Sequence, residues 1–508
     1  MLLSLLSAVL GILAFPPSKL SFLALVFLVP YFVFLIREDR PLRLLAGSFL
    51  FQLAYISGLA YFIIEPLLYL SKISVFFLLP LFVIGIKKIF LWRGRGINLF
   101  RFDDLAFATA AVSAGYLIAD YLSAQYALMP AFILFIGNAA GASFLGLAKY
   151  GGIFTLGAFV VFINGIFTLA YFEYFNFKWR LVYGKNFIIT VLVGLFAVSA
   201  GVAVSRTALA ERAREYASRG RVLSVAAVSA GREFDAELND FPRVLSLERL
   251  GRDSAVINAK VAALKNGLGD GRFDLVVLPE GLLDAEILNN ADAGVLQNFG
   301  ISNNGILISA LSRLAKETDA GLLANFTTMR SGERYNSAVL FGADGVISAV
   351  YDKNDLAYGG EYWPFRGWHP FYFDWLRSRM SPFSPIMDDR YNYTAGTESK
   401  ILETENGARF GTLICLEAHL PRRPAGLAAA GADFLVNSSS NFWVQRGLKR
   451  YLGLSTNLRR IMAVASGLPV VVSGRLDFAG VIFPDGTAEL VDFQNPLGYG
   501  IFKGRVRF

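Results

Sequence analysis

The sequence contains one cysteine and two histidines in 508 residues. A single cysteine excludes an internal disulfide, and so few sulfur and imidazole groups argue against a structural zinc site. Charged residues are also scarce, at 17% against about 25% in an ordinary soluble domain. A large part of the chain is therefore not built to face water.

The net charge of +8 does not indicate nucleic-acid binding. The basic residues are concentrated in loops between apolar runs, which is where the positive-inside rule places them in a membrane protein. The second half of the chain contains no basic run interleaved with aromatic residues. We expect no nucleic-acid partner.

Hydropathy divides the chain near residue 205. The mean hydropathy is +0.48, and most of the apolar runs lie before that residue. A transmembrane helix needs about 20 apolar residues, so residues 1–205 are predicted to form a helix bundle with about seven spans. The predicted spans are 2–15, 19–36, 43–66, 70–92, 104–124, 150–173 and 186–205.

Two further features of this half point beyond a plain anchor. The stretch 127–149 is apolar but rich in Gly and Ala, and we expect a re-entrant or interfacial segment there. Asp120, Asn138 and Asn164 lie within apolar stretches, and polar residues inside a membrane often serve function. This half is therefore expected to handle a lipidic or hydrophobic substrate.

The basic loops predict the orientation. Arg37 to Arg43, Lys87 to Arg101 and Lys178 to Lys185 form clusters that alternate with poorly charged loops. With the amino terminus in the cytoplasm, all three clusters lie inside. An odd number of crossings then leaves the remaining domain outside the cytoplasm.

From residue 221 the pattern changes to short apolar runs that alternate with helical stretches. Residues 206–220 are predicted as a linker, and 221–508 as an α/β domain with buried strands. Asp344-Gly345 and Asp485-Gly486 are signals of hairpins or tight turns. The aromatic-rich connection 363–400 has the length of a functional lid, and the C-terminal NPLGYGIFKGRVRF is too short and basic to span a membrane.

Three reactive side chains follow apolar strands in this domain. They are Glu280 in Leu-Pro-Glu, Lys353 in Tyr-Asp-Lys and Cys415 in Ile-Cys-Leu-Glu. A thiol is a strong nucleophile once deprotonated, a carboxylate can accept its proton, and an ammonium can stabilise an oxyanion. Each residue also has a simpler interpretation, since a lone cysteine on a strand is more often a small buried hydrophobe.

Taken together, these segments resemble the nitrilase (carbon–nitrogen hydrolase) superfamily. Leu278-Pro279-Glu280-Gly281 resembles the segment of the catalytic base, and Tyr335-Asn336-Ser337-Ala338 with Tyr351-Asp352-Lys353 resembles the stretch leading to the catalytic lysine. Gly360-Glu361-Tyr362 follows at the family's spacing, and Ile414-Cys415-Leu416-Glu417 resembles the nucleophile segment. The order of a multi-helix membrane domain and then this domain resembles the apolipoprotein N-acyltransferase family.

The resemblance implies an αββα sandwich with a Glu280–Lys353–Cys415 triad, in which Glu361 and Glu417 are supporting carboxylates that orient Lys353. It implies transfer of a fatty acyl group from a membrane phospholipid, through a cysteine thioester, to the amine of a diacylglyceryl-cysteine lipoprotein. No metal or cofactor is needed. The implied protein is a multi-pass monomer of the bacterial cytoplasmic membrane, with its catalytic domain on the extracytoplasmic side.

Other readings stay open because the chain departs from the family pattern. Leu416 replaces an aromatic residue, and Arg475-Leu476-Asp477 stands where the family has Asn-Thr-Gly. A membrane-anchored amidase or nitrilase would use the same triad with water as the acceptor. A catalytically silent scaffold would keep the fold alone.

Overall fold

The computed structural model describes most of the chain. The described residues are 1–61, 66–92, 97, 101–126, 132–180, 184–231, 234, 247–283, 305–330, 332–358, 361–362, 392–444, 446–493 and 498–508. The chain forms two compact units, one of Met1–Glu211 with Arg446–Ala465 and the other of Arg212–Gln445 with Ser466–Phe508. We call them the membrane unit and the catalytic unit.

The membrane unit is helical. Its α-helices are α1 (Leu2–Ala14), α2 (Val29–Arg37), α3 (Pro41–Leu59), α4 (Pro66–Phe76), α5 (Leu78–Trp92), α6 (Phe102–Tyr126), α7 (Gly152–Arg180) and α8 (Gly184–Ala217). Five helical segments among the described residues are long and apolar enough to cross a membrane: Pro41–Leu59, Leu70–Leu91, Phe102–Tyr126, Gly152–Phe175 and Lys185–Ala217. These correspond to five of the seven predicted spans, and a multi-pass helical region is confirmed.

The other predicted segments of this half are shorter or irregular. Leu2–Ala14 and Ser21–Arg37 are apolar helical segments below the length of the five long ones. The stretch 127–149 forms 3₁₀ turns from Phe132 onward rather than one long helix, and its first five residues lie outside the described part. Helix α8 continues to Ala217, through most of residues 206–220, which were predicted as a linker.

The catalytic unit contains a mixed sheet. Its strands are β1 (Val222–Ala230), β2 (Leu275–Glu280), β3 (Gly321–Arg330), β4 (Glu333–Phe341), β5 (Ile347–Asp352), β6 (Ile401–Glu403), β7 (Arg409–Ile414), β8 (Phe434–Ser440), β9 (Val470–Arg475), β10 (Ala479–Ile482), β11 (Ala488–Val491) and β12 (Tyr499–Arg507). The order along the sheet is β5-β4-β3-β2-β1-β9-β8-β7-β6. Strand β12 pairs with β1, and β10 pairs with β9 and β11.

The interior strands are parallel, and the edges are antiparallel. In the order β3-β2-β1-β9-β8-β7, each strand runs parallel to the next one. Strands β4, β5 and β6 pair antiparallel with their neighbours in hairpins. The predicted turn signals are confirmed, because Gly345 and Gly486 join β4 to β5 and β10 to β11 in the left-handed region, with φ of 75° and 78°. Buried parallel strands explain the continuous apolar runs.

Among the described residues, four further helices connect the strands. They are α9 (Leu247–Leu268), α10 (Gly305–Thr318), α11 (Arg422–Ala429) and α12 (Leu448–Ser466). Helices α9 and α10 pack on one face of the sheet in a core that takes Ala226 and Val228 from β1. The alternate β1 residues, Leu223 and Val225, point to a second core. This alternation follows from the two-residue period of a strand.

The second core shows that the sheet folds back on itself. It contains Leu340 and Tyr351 from one end of the strand order, and Leu402 and Phe410 from the other. The two ends therefore face each other across an apolar interior, and α9 and α10 cover the opposite face of β1 to β5. The predicted nitrilase-like sandwich is confirmed.

Helix α12 groups with the membrane unit although its sequence lies between β8 and β9. The guanidinium of Arg450 donates to the carbonyl oxygens of Ile12, Phe15 and Pro16, at 2.5, 3.1 and 3.1 Å. These carbonyls lie at the end of α1, where helix carbonyls have no partner within the helix. Arg450 therefore caps α1.

Candidate active site

The three predicted triad residues lie at strand ends and meet in the catalytic unit. Glu280 is the last residue of β2, Lys353 follows β5, and Cys415 follows β7. The sheet's fold brings β5 and β7 together although they lie near opposite ends of the strand order. The three triad residues, which are far apart along the chain, are therefore close in space.

Lys353 is buried between two carboxylates. Its side chain is 1% exposed, and its Nζ lies 2.8 Å from Oε1 of Glu361 and 3.8 Å from Oε1 of Glu280. Burial alone would lower the pKa of Lys353, but Glu361 and Glu280 more than offset this effect and raise the pKa above its ordinary value. The side chain is therefore a permanent ammonium in this site.

Glu280 has the properties of a proton acceptor. Burial raises the pKa of Glu280 above its ordinary value, and the nearby Glu361 adds to the shift. Lys353, Asn336 and the Cys415 thiol act in the opposite direction by stabilising the carboxylate. A carboxyl group with a raised pKa is a stronger base than a solvated one, as general acid–base catalysis requires.

Cys415 lies at a sharp turn. It begins a 3₁₀ turn directly after β7 and has a φ of 51°, in the left-handed region that a non-glycine residue seldom adopts. The thiol interacts with the Glu280 carboxylate and accepts from the backbone N–H of Ser440. Burial and Glu280 together raise the pKa of Cys415 to about 12, against a lowering effect of Lys353. The resting thiol is therefore neutral near pH 7, and its proton acceptor is in place.

The two supporting carboxylates make different contacts. Glu361 Oε1 accepts from Lys353 Nζ, and its Oε2 accepts from the backbone N–H of Ala357 at 2.6 Å. Glu417 is fully buried and accepts from Tyr351 Oη at 2.7 Å and from the backbone N–H of Ile414 at 2.9 Å.

Glu417 also accepts from the backbone N–H of Asn354 at 2.8 Å. It thus links the segment after Lys353 to the strand end before Cys415. Within the described residues its hydrogen bonds go to Tyr351 and to backbone groups, and its interaction with Lys353 is electrostatic. Its role as a supporting carboxylate that orients Lys353 stays a prediction. Glu361 is the carboxylate that contacts the ammonium.

Sequence reasoning missed Asn336 as a site residue, although it lies in a segment that carried the resemblance. Its Nδ2 donates to Oε1 of Glu280 at 2.8 Å and to Oε1 of Glu361 at 2.5 Å. Its Oδ1 accepts from Asn325 at 3.1 Å. The amide therefore holds both carboxylates around Lys353. These two asparagines come together only because β3 pairs antiparallel with β4, and no local sequence pattern predicts this contact.

Among the described residues, no group of three or more Cys, His, Asp or Glu side chains is arranged to hold a metal. Most of the predicted lid, residues 363–391, lies outside the described part. The described apparatus is therefore a thiol, a base and an ammonium.

Residues 207–493 match the family model of carbon–nitrogen hydrolases. Because this match covers more than half of the chain, the chain belongs to the carbon–nitrogen hydrolase family. Residues 7–166 match the model of the apolipoprotein N-acyltransferase N-terminal domain. The two matches together confirm the resemblance to that branch of the nitrilase superfamily.

Curated proteins of the same family are similar to parts of this chain. An apolipoprotein N-acyltransferase of Brucella suis biovar 1 (strain 1330) is 24% identical over 214 residues, covering 42% of this chain and 36% of the relative. One from Bradyrhizobium diazoefficiens is 30% identical over 152 residues, covering 30% and 26%. An (R)-stereoselective amidase of Pseudomonas sp. is 27% identical over 171 residues, covering 34% and 50%. The chain thus spans half or less of the length of these relatives.

Among solved structures, a carbon–nitrogen hydrolase from Helicobacter pylori G27 is similar with 16% sequence identity and a TM-score of 0.38. The similarity covers 56% of this chain and 89% of that one.

Proposed function

We propose that the protein is a membrane N-acyltransferase that moves a fatty acyl group from a phospholipid to the N-terminal amine of a diacylglyceryl-cysteine lipoprotein. The observation that carries the proposal is the buried ammonium of Lys353, 2.8 Å from Glu361 and 3.8 Å from Glu280, with Cys415 as the nucleophile on which Glu280 and Lys353 act. The multi-pass helices and the match of residues 7–166 favour a lipid donor over a soluble one.

The first half-reaction forms a thioester. Glu280 takes the proton of Cys415 as the sulfur attacks the ester carbonyl, so the thiolate never has to persist at neutral pH. The ammonium of Lys353 stabilises the negative charge that develops on the carbonyl oxygen. When the intermediate collapses, the lysophospholipid alkoxide leaves and takes the proton from Glu280.

The second half-reaction transfers the acyl group. The acceptor amine attacks the thioester, and Glu280 accepts a proton from the attacking nitrogen. The Cys415 thiolate leaves and recovers that proton, which restores the starting state. Glu361 keeps Lys353 protonated throughout, because a nearby carboxylate favours the charged amine. The cycle balances without a metal, a redox step or a diffusible cofactor.

The proposal includes the bacterial cytoplasmic membrane as the location and the extracytoplasmic side for the catalytic unit. It is supported by the basic clusters, which lie inside when the amino terminus is cytoplasmic. Reaction of the catalytic unit with a membrane-impermeant label in spheroplasts, but not of the loop containing Arg40 between α2 and α3, is the expected result. The reverse pattern would overturn the orientation.

The direct test is intact-mass measurement of the purified protein after incubation with phospholipid. We expect one acyl chain bound to the protein, released by hydroxylamine and absent from Cys415→Ala. Since the chain has one cysteine, no other thiol competes. Failure to form the adduct under turnover conditions would contradict the proposal.

An amidase or nitrilase activity is the second candidate, because the Pseudomonas amidase is among the relatives. The two functions differ in the fate of the acyl-enzyme. An acyltransferase should retain the thioester until an amine acceptor is added, whereas a hydrolase should lose it to water in buffer alone. Rapid loss without an acceptor would favour the hydrolase. A silent scaffold would give no adduct at all.

A further inference from the structure

Arg475, where the chain departs from the family's Asn-Thr-Gly pattern, lies at the edge of the candidate site. It is the last residue of β9 and pairs with Ser440 at the end of β8. Ser440 is the residue whose backbone N–H contacts the Cys415 thiol. The backbone of Arg475 is therefore one strand away from the group that contacts the nucleophile.

The side chain of Arg475 reaches the backbone next to the base. Its Nη1 donates to the carbonyl oxygen of Gly281 at 2.5 Å, and Gly281 directly follows Glu280. The N–H of Gly281 donates to the carbonyl oxygen of Asn325 at 3.1 Å. The backbone N–H and carbonyl of Gly281 therefore both have hydrogen-bond partners. Its φ of 61° lies in a region that is unfavourable for an L side chain.

Phe442 fixes the direction of the guanidinium. Its ring lies 4.2 Å from Cζ of Arg475, which is a stacking distance for a planar cation on an aromatic face. The carbonyl oxygen of Arg475 also accepts from the backbone N–H of Asn441 at 2.9 Å. One residue thus joins the backbone after the base to the 440–442 segment beside the nucleophile.

We propose that Arg475 is a positioning residue that holds Glu280 in register with the Cys415 thiol through the Gly281 carbonyl and the stacked Phe442 ring. The inference rests on the proposed acyl-transfer function of the same site. A displacement of the base by a fraction of an ångström lowers the rate of proton removal without changing how the donor binds. The planar shape of the Arg475 guanidinium matters as well as its charge. A lysine ammonium would neither stack on the Phe442 ring nor donate in a fixed direction.

The test compares Arg475→Met and Arg475→Lys with Arg409→Met. Arg409 is a matched control, since it is also a strand arginine that donates to a backbone carbonyl, that of Ala430 at 3.2 Å, but it begins β7 and is exposed. For Arg475→Met we expect the acylation rate constant to fall about 100-fold, the scale of a small misplacement at a reacting centre, with KM for the phospholipid unchanged. Arg475→Lys should lie between it and the wild type.

A second readout does not depend on acyl transfer. Iodoacetamide alkylation of Cys415 near pH 7 should slow by about tenfold in Arg475→Met, because base assistance is worth at least that much. Arg409→Met should match the wild type in both assays. A rise in KM with an unchanged rate constant, or alkylation equal to that of Arg409→Met, would overturn the positioning role. If the wild type forms no acyl adduct, the proposed function fails while the alkylation comparison still decides the role of Arg475.

Discussion

Lys353 in the catalytic unit and Lys72 in the membrane unit are both almost fully buried, at 1% and 4% exposure, but their surroundings differ. The ammonium of Lys353 donates to Glu361 at 2.8 Å and has Glu280 at 3.8 Å. The ammonium of Lys72 has no hydrogen-bond partner among the described residues. One buried charge is thus held within a hydrogen-bonded network, whereas the other is not.

Asp120 is an opposite charge that acts on Lys72. Lys72 precedes Phe76 by one helical turn, and Asp120 follows Tyr116 by one turn. The rings of Phe76 and Tyr116 are 5.5 Å apart. This contact joins α4 to α6, and Lys72 and Asp120 on these two helices interact electrostatically. The two are not hydrogen-bonded to each other, since the ammonium of Lys72 has no hydrogen-bond partner among the described residues.

The two lysines show that buried charged groups are arranged differently in the two units. In the catalytic unit the charges are fixed at contact distance, as a preorganised site requires. In the membrane unit the charges attract over a longer distance, and the carboxylate of Asp120 is used instead to accept from the backbone N–H of Ile136 at 2.8 Å. Loss of a charge should therefore have opposite consequences in the two units.

The largest effect is expected for Lys353→Met. Removing the cation leaves Glu280 and Glu361 buried without a counter-charge, which should lower the free energy of unfolding by about 3–5 kcal/mol. The acyl adduct should also be lost. Thermal unfolding and intact mass measure the two effects. Lys265→Met is the control, because Lys265 is half-exposed and pairs with Glu317 at 2.9 Å, a contact worth about 1 kcal/mol or less. Equal changes in the two variants would contradict the argument.

Asn336→Leu should leave the fold largely intact but remove the amide that joins Glu280 to Glu361. We expect the acylation rate constant to fall about 100-fold, since both carboxylates lose a hydrogen bond that fixes their positions. Stopped-flow or quenched-flow acylation measures this rate. Asn406→Leu, at a turn outside the site, should keep the wild-type rate, and a small effect at Asn336 would show that Lys353 alone orders the carboxylates.

The pH profile tests the electrostatics of the site directly. Glu280 must be deprotonated to accept the thiol proton, and its pKa is raised, so kcat/KM should fall as the pH drops through a value above the ordinary glutamate range. Glu361→Gln removes a negative charge that raises the pKa of Glu280 and should move this limb to lower pH. Alkylation of Cys415 should keep increasing above pH 9, because the pKa of the thiol is about 12. A thiolate plateau near pH 7 would contradict this picture.

The smallest effect is expected for Lys72→Met. An ammonium buried in a membrane helix bundle without a hydrogen-bond partner is unfavourable, so its removal should stabilise the protein by about 1 kcal/mol. Asp120→Asn should destabilise it, because Lys72 is then left with neither a hydrogen-bond partner nor the charge of Asp120, whereas in Lys72→Met the Asp120 carboxylate keeps its hydrogen bond from the N–H of Ile136. Thermal unfolding in detergent measures both, with the exposed Lys19→Met as control. Strong destabilisation by Lys72→Met would show that the two units hold their buried charges in the same way.

Much of the architecture was predictable from local patterns. Continuous Val, Leu and Ile runs predicted the strands, and the helical stretches that alternate with them correspond to helices such as α9, α10 and α12. Hydropathy predicted the apolar helices but overestimated the length of 19–36, because a 3₁₀ turn at Ser21–Leu25 precedes the short α2. Irregular turns within an apolar run leave no clear mark on composition.

The sequence by itself determined that the chain enters a membrane and that Glu280, Lys353 and Cys415 follow buried strands, since both properties are carried by short contiguous segments. The tertiary structure decided which groups surround them. Asn336 reaches Glu280 across 56 residues, and Arg475 reaches Gly281 across 194. These contacts depend on strand pairing and on the closure of the sheet, which bring distant strand ends together, and local sequence does not encode such distances.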